Sequence, residues 1–143
     1  ICFFNNSWFS PNNLFCSSSM LVGQRILIGG TFGNSTFTPH LISLRRQGVY
    51  GTVVPGSVVV TSGNAGTFKL LNTGLRCLSL GGPLTVNTGA GTLFFQGNSD
   101  TLTLTDLQTA SATTSVPVVA RGLVLKDSVG GPVLWAHRVR EVQ

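Results

Sequence analysis

Two histidines, four carboxylates and three cysteines are the side chains of this 143-residue chain best suited to acid–base, thiol or metal chemistry. General acid–base catalysis draws on paired carboxylates or on a positioned histidine. His40 follows Pro39 in an expected turn, and His137 stands between Ala136 and Arg138 in the last expected strand. Both positions read as structural or surface histidines. Ser–His–Asp sets assemble in space rather than in sequence, but no G-x-S-x-G elbow is present. The nearest run, Gly97-Asn98-Ser99-Asp100-Thr101, lacks the final glycine. Zinc-protease, P-loop and dinucleotide fingerprints are also absent. The expectation is a chain with no catalytic residue and no cofactor, and hence no enzyme.

Cys2, Cys16 and Cys77 match no zinc or redox spacing. A Cys2–Cys16 bridge would close a short loop and contribute about 3 kcal/mol in an oxidising compartment; buried free thiols are the alternative. Cys77 has Arg76 beside it, a neighbour that lowers a thiol pKa, yet it falls in an apolar strand and reads as inert. Asn98, Asp100 and Asp106 offer oxygen ligands of the kind Ca²⁺ takes. One imperfect glycine-poor copy of a calcium-binding nonapeptide is weak grounds for a site, and an Asx-type turn accounts for the same residues. No metal is expected. Thr101, Thr103 and Thr105 would form a hydroxyl row of the sort that ice-binding faces repeat over several strands, but here the row occurs once.

Charged residues make up only 9% of the chain, against roughly 25% in an ordinary soluble domain. Apolar residues make up 42%, enough to bury a core. The net charge of +5 arises from few acids rather than many bases. Asp100, Asp106, Asp127 and Glu141 all lie in the last third, and the nine bases are scattered, without an aromatic-interleaved basic stripe. Nucleic acid is therefore not an expected partner. A surface this short of charge is poorly protected against association, as expected of one covered by neighbouring subunits.

The first charge is Arg25, so residues 1–24 are neutral. Asn5, Asn6, Pro11, Asn12 and Asn13 interrupt every apolar run there, which fits neither a signal peptide nor a membrane span. Residues 1–23 are read as an aromatic-rich arm that packs on its own domain or docks on a neighbouring subunit. Phe3, Phe4, Trp8, Phe9 and Phe15 are its candidate interface residues. Asn5-Asn6-Ser7 and Asn34-Ser35-Thr36 fit the N-glycosylation pattern, which has meaning only in a secretory setting.

Residues 24–143 are read as one all-β domain. Strand-like runs recur at 24–28, 41–46, 49–54, 57–61, 67–71, 76–80, 84–87, 92–96, 101–105, 116–125 and 133–142. Turn chemistry separates them: Gly29-Gly30, Pro55-Gly56, Gly63-Asn64, Asn87-Thr88-Gly89, Gly97-Asn98 and Gly130-Gly131-Pro132. Only residues 106–115 leave room for a short helix. Leu78 and Leu80 alternate with Ser79, and Leu84 and Val86 with Thr85, which buries one face of each strand. The expected architecture is a single-domain β-sandwich of jelly-roll type, with a fibrous β-spiral or β-solenoid as the alternative.

The run Leu78-Ser79-Leu80-Gly81-Gly82-Pro83-Leu84-Thr85-Val86-Asn87-Thr88-Gly89 resembles one shaft repeat of the adenovirus fibre, and residues 92–105 resemble a looser second copy around Gly97-Asn98. The resemblance implies trimeric assembly and exposure on a virion. The expected function is a non-enzymatic structural protein of a virion, a capsid decoration or fibre module. Its partners would be copies of itself and a shell protein. The alternative is an extracellular or surface β-sandwich that binds glycan through Trp8, Tyr50 and Trp135.

Overall fold

A computed structural model of the chain describes residues 2–4, 14–16, 20–21, 24–71, 82–98 and 100–142. Where apolar and polar residues alternate, the chain forms sheet with one face buried. In β5 (Gln47–Val53) Val49, Gly51 and Val53 are buried while Gly48 and Tyr50 face out. In β7 (Ala65–Leu71) Phe68 and Leu70 point inward and Thr67 and Lys69 outward. The same period of two runs through parts of β8 (Leu84–Gln96), β10 (Val116–Lys126) and β11 (Pro132–Glu141), interrupted where Gly122–Val124 and Val133–Leu134 are buried in succession. Two short strands, β6 (Val59–Ser62) and β9 (Asp100–Leu102), pair antiparallel with β7 and β8.

The all-β expectation holds. The large sheet runs β6-β7-β5-β10-β11-β8-β9, and an additional β7–β8 pairing joins its two halves. Five strands thus close into a ring, β5-β10-β11-β8-β7, in which every strand has two partners. The facing layers over the core belong to one continuous sheet, and closure removes the open edges of the ring strands. All but one of these pairings are antiparallel; β8 and β11 run parallel. The core is filled by Val49, Phe68, Leu70, Val86, Phe94, Val118, Leu134 and their neighbours.

The helix begins earlier than the sequence suggested. α1 spans Leu104–Ala110, with Thr103 as its N-cap. Asp106 Oδ2 accepts from the Thr103 N–H at 2.8 Å and from its hydroxyl at 2.7 Å, completing a capping box. Thr103 therefore leaves the expected 101–105 strand, which ends at Leu102, and the hydroxyl row is broken. Leu104 and Leu107 enter the barrel core. Asn64 ties the helix start to the sheet, accepting from Leu104 N at 3.2 Å and donating to the Thr92 carbonyl at 3.0 Å.

The expected turn at Asn87-Thr88-Gly89 is instead an irregularity inside one 13-residue strand, β8. Opposite it, β11 shifts register between Ala136 and Arg138. Thr92 holds the distortion together. Its hydroxyl, fully buried, donates to the Ala136 carbonyl at 2.8 Å and accepts from Gly89 N at 2.9 Å. Glycine and threonine here mark a bulge, not a reversal. The expected 76–80 strand and Cys77 lie outside the described residues. Thr92→Val keeps the shape and deletes both bonds, leaving a buried carbonyl and amide without that partner. We expect a loss of about 2 kcal/mol in urea unfolding; a change below about 0.5 kcal/mol would contradict this role.

Candidate assembly surface

Two strands stand apart from the large sheet. β3 (Ile26–Gly33) and β4 (Thr36–Leu44) pair only with each other. Asn34 and Ser35 link them with φ of 50° and 59°, the doubly left-handed geometry of a two-residue hairpin turn. The expected reversals at Gly29-Gly30 and Pro39-His40 are both corrected. Gly29 pairs with Leu41 and Gly30 with Pro39, so His40 is the extra residue of a bulge within β4. Gly30 is needed there, because a Cβ would run into the Thr38 carbonyl oxygen. His40 Nε2 meets Thr31 Oγ1 at 3.0 Å across the ribbon.

The ribbon is apolar on both faces. Phe32 is 76% exposed, Leu41 54%, and Leu27 and Ile28 each 45%; Ile26 and Phe37 are more than a third exposed as well. Leu27 and Ile28 are consecutive and so point to opposite faces; among the described residues the strand Cys2–Phe4 comes close to β4, and both faces keep large side chains more than a third exposed. Between Arg25 and Arg45 no residue is charged with His40 neutral. The foot of the ribbon is fixed to the barrel. Arg45 N donates to the Arg25 carbonyl at 2.9 Å, Arg25 N donates to the buried Gln47 Oε1 at 3.4 Å, and Leu44 packs with Leu123, Met20 and Leu125 in a small second core.

The aromatic arm is placed only in part. β1 (Cys2–Phe4) and β2 (Leu14–Cys16) form a two-stranded antiparallel pair in which Phe3 faces Phe15, Phe4 faces Leu14 and Cys2 faces Cys16. Directly opposed Cα atoms of such a pair lie about 4.5–5.5 Å apart, a separation that accommodates a disulfide. The side chains of Phe3, Phe4 and Phe15, and Trp8 and Phe9 altogether, lie outside the described residues. Of the glycan candidates, Tyr50 is half exposed on the outside of β5, Trp135 is partly buried in β11, and Trp8 is not described.

The residues with chemical potential are dispersed or engaged structurally. Hydrogen bonds from the Thr103 hydroxyl and backbone hold the Asp106 carboxyl below the usual carboxylate range. Asn98 Oδ1 accepts from Arg140 Nη1 at 3.4 Å, and the Asp100 side chain lies outside the described residues. Among the described residues no group of three His, Cys, Asp or Glu side chains could hold a metal ion. Glu141, pushed up by burial and then by Asp106, lines a shallow cleft of about 220 Å³ with Gly97, Asn98, Arg140 and Val142. That is below the size of ordinary small-molecule pockets. Among the described residues no helix is long and apolar enough to cross a membrane.

The chain matches no protein-family model and no curated protein sequence.

His137 sits half-buried at the β11 bulge. Burial, then the positive charge of Arg46, with further contributions from Arg121 and Arg138, pushes its pKa below the usual 6.5, and a hydrogen bond with the Arg121 backbone opposes them. The unfolded chain therefore takes up this proton at higher pH than the folded one. Stability rises with pH up to about 6.5 and is lost as pH falls from there through the lower folded-state pKa. Urea midpoints measured at about pH 7.5 and about pH 5 should fall further for the wild type than for His137→Gln; equal falls would contradict the assignment.

Proposed function

We propose that this chain is a non-enzymatic structural module that assembles with copies of itself through the β3–β4 ribbon. The observation that carries this reading is a charge-free hairpin, paired with nothing else in the large sheet, that exposes large apolar side chains on both faces. A two-stranded ribbon is at best marginally stable alone in water. With about 200 Å² of surface per large residue, its six exposed side chains leave roughly 600 Å² uncovered. This is most of the ~800 Å² per partner of a standard stable interface.

A second copy of the chain is the occupant that fits. Among the described residues each ribbon strand has one unpaired edge, and an antiparallel edge meeting its own symmetry mate satisfies both rows of N–H and C=O groups at once. Phe32 lies opposite Phe37 and Ile28 opposite Ile42, so the tip and the middle of the ribbon each offer an apolar cross-strand pair to a neighbour. The scarcity of charge elsewhere on the chain supports association in the same direction. The fibre-like run at residues 78–89 favours a trimer and a virion setting, with residues 1–23 as a further contact to a neighbouring subunit or a shell protein.

Equilibrium sedimentation of the full chain tests this. The wild type should sediment as a multiple of 15.0 kDa. Leu27→Thr/Phe32→Ser/Phe37→Ser should move toward the single-chain mass with an unchanged circular dichroism spectrum. A monomeric wild type, an oligomer that survives the triple substitution, or wild type that floats with phospholipid vesicles would each overturn the assembly reading.

A further inference from the structure

Arginines that are far apart in sequence converge on the outer face of the barrel. Arg121 of β10 and Arg138 of β11 are direct cross-strand partners. Two residues along β11, Arg140 lies between Val119 of β10 and Phe95 of β8, and Val119 in turn pairs with Tyr50 of β5. The Arg138 guanidinium sits over the Phe95 ring, 4.5 Å from its centroid. Arg46, at the foot of the ribbon, precedes Gln47 and Gly48, which pair with Gly122 and Arg121 of β10, and with Arg121 and Arg138 it lowers the pKa of His137. All four arginines are exposed.

Like charges placed directly opposite on adjacent strands destabilise a sheet. Among the described residues these four arginines form no ion pair with a carboxylate; Arg138 rests over the Phe95 ring and Arg140 donates to Asn98 Oδ1 instead. Glu141 follows Arg140 on β11, and its carboxyl is pushed up first by burial and then by Asp106. Like charges so placed cost folding stability and leave a cationic field on the outer face of the barrel. Neighbouring strands lie about 4.8 Å apart and alternate residues of one strand about 6.8 Å apart, so one such step separates Arg121 from Arg138 and another Arg138 from Arg140.

From this juxtaposition we infer that the β10–β11 face, through Arg46, Arg121, Arg138 and Arg140 with Tyr50 beside them, binds a linear acidic polysaccharide. Arginine forks take sulfate or carboxylate groups with two parallel hydrogen bonds. Tyr50, half exposed in the same row as Arg140, offers an apolar ring with a hydroxyl tip to a sugar. Single-stranded nucleic acid fits less well, because successive bases need a series of open aromatic platforms. Of the rings on this outer face, Phe95 is already capped by Arg138 and Trp135 is partly buried. The bases were unremarkable in sequence because residues 46, 121, 138 and 140 meet only through strand register. The site stands independently of self-association; in an oligomer, repetition of the patch would multiply a weak contact into avidity.

The full chain is titrated, at about 50 mM salt, with a heparin oligosaccharide, with hyaluronate and with oligothymidylate. Binding to heparin alone assigns a sulfated ligand, and binding to both polysaccharides assigns the carboxylate as sufficient; either supports the site. Arg121→Gln/Arg138→Gln should weaken heparin binding at least about tenfold. Lys69→Gln/Lys126→Gln, which removes equal charge elsewhere, should change it less than about twofold. The arginine variant should melt no lower than the wild type, since it relieves a like-charge pair. Equal losses in the two variants, no polysaccharide binding, or tighter binding of oligothymidylate would overturn the inference.

Discussion

Each backbone N–H and C=O placed in a sheet needs a partner, and the chain meets that requirement in two different ways. In the barrel the β7–β8 pairing joins the two halves of the large sheet, so the five ring strands have partners on both sides. Those strands can then bury one face and expose the other without presenting an edge. The ribbon has no such closure. Its strands satisfy one another on the inner side; among the described residues its outer edges have no strand partner, and large apolar side chains are exposed on both faces. The division between a closed, self-sufficient barrel and an unfinished ribbon underlies the functional reading.

Few charges are present, so hydroxyl and amide groups carry much of the internal specificity. The buried polar residues Gln47, Thr88, Thr92 and Ser111 are all hydrogen-bonded, to Arg25 N, the Gly66 carbonyl, the Ala136 carbonyl and the Leu107 carbonyl respectively. Each restores a backbone partner where the regular ladder is interrupted, at the ribbon foot, the β8 irregularity and the helix end. Buried polar groups satisfied in this manner specify geometry without the desolvation penalty of buried ions. The charges that do exist are left outside, where register concentrates arginines on one face.

The barrel was largely legible in the sequence because its strands alternate cleanly between apolar and polar residues. Runs expected at 49–54, 57–61, 67–71, 116–125 and 133–142 correspond to β5, β6, β7, β10 and β11. Elsewhere glycine and proline misled. Gly29-Gly30 and Asn87-Thr88-Gly89 have turn composition but serve as bulges inside long strands, whereas Asn34-Ser35, flanked by Phe32 and Phe37, makes the actual reversal. Asn34 and Ser35 carry the left-handed two-residue turn that marks the ribbon in the sequence. Neither surface was legible as a site: exposure of alternating apolar residues has no sequence signature distinct from burial, and the arginine face depends on long-range register. The aromatic arm drew attention instead because its residues are contiguous.

Hydrogen–deuterium exchange measured over a range of protein concentrations addresses the ribbon most directly. If a second copy covers it, amides in residues 26–44 become protected as concentration rises, while those of β10 and β11 are protected throughout. Rapid exchange of residues 26–44 at every concentration, beside a stably protected barrel, would contradict assembly through this surface.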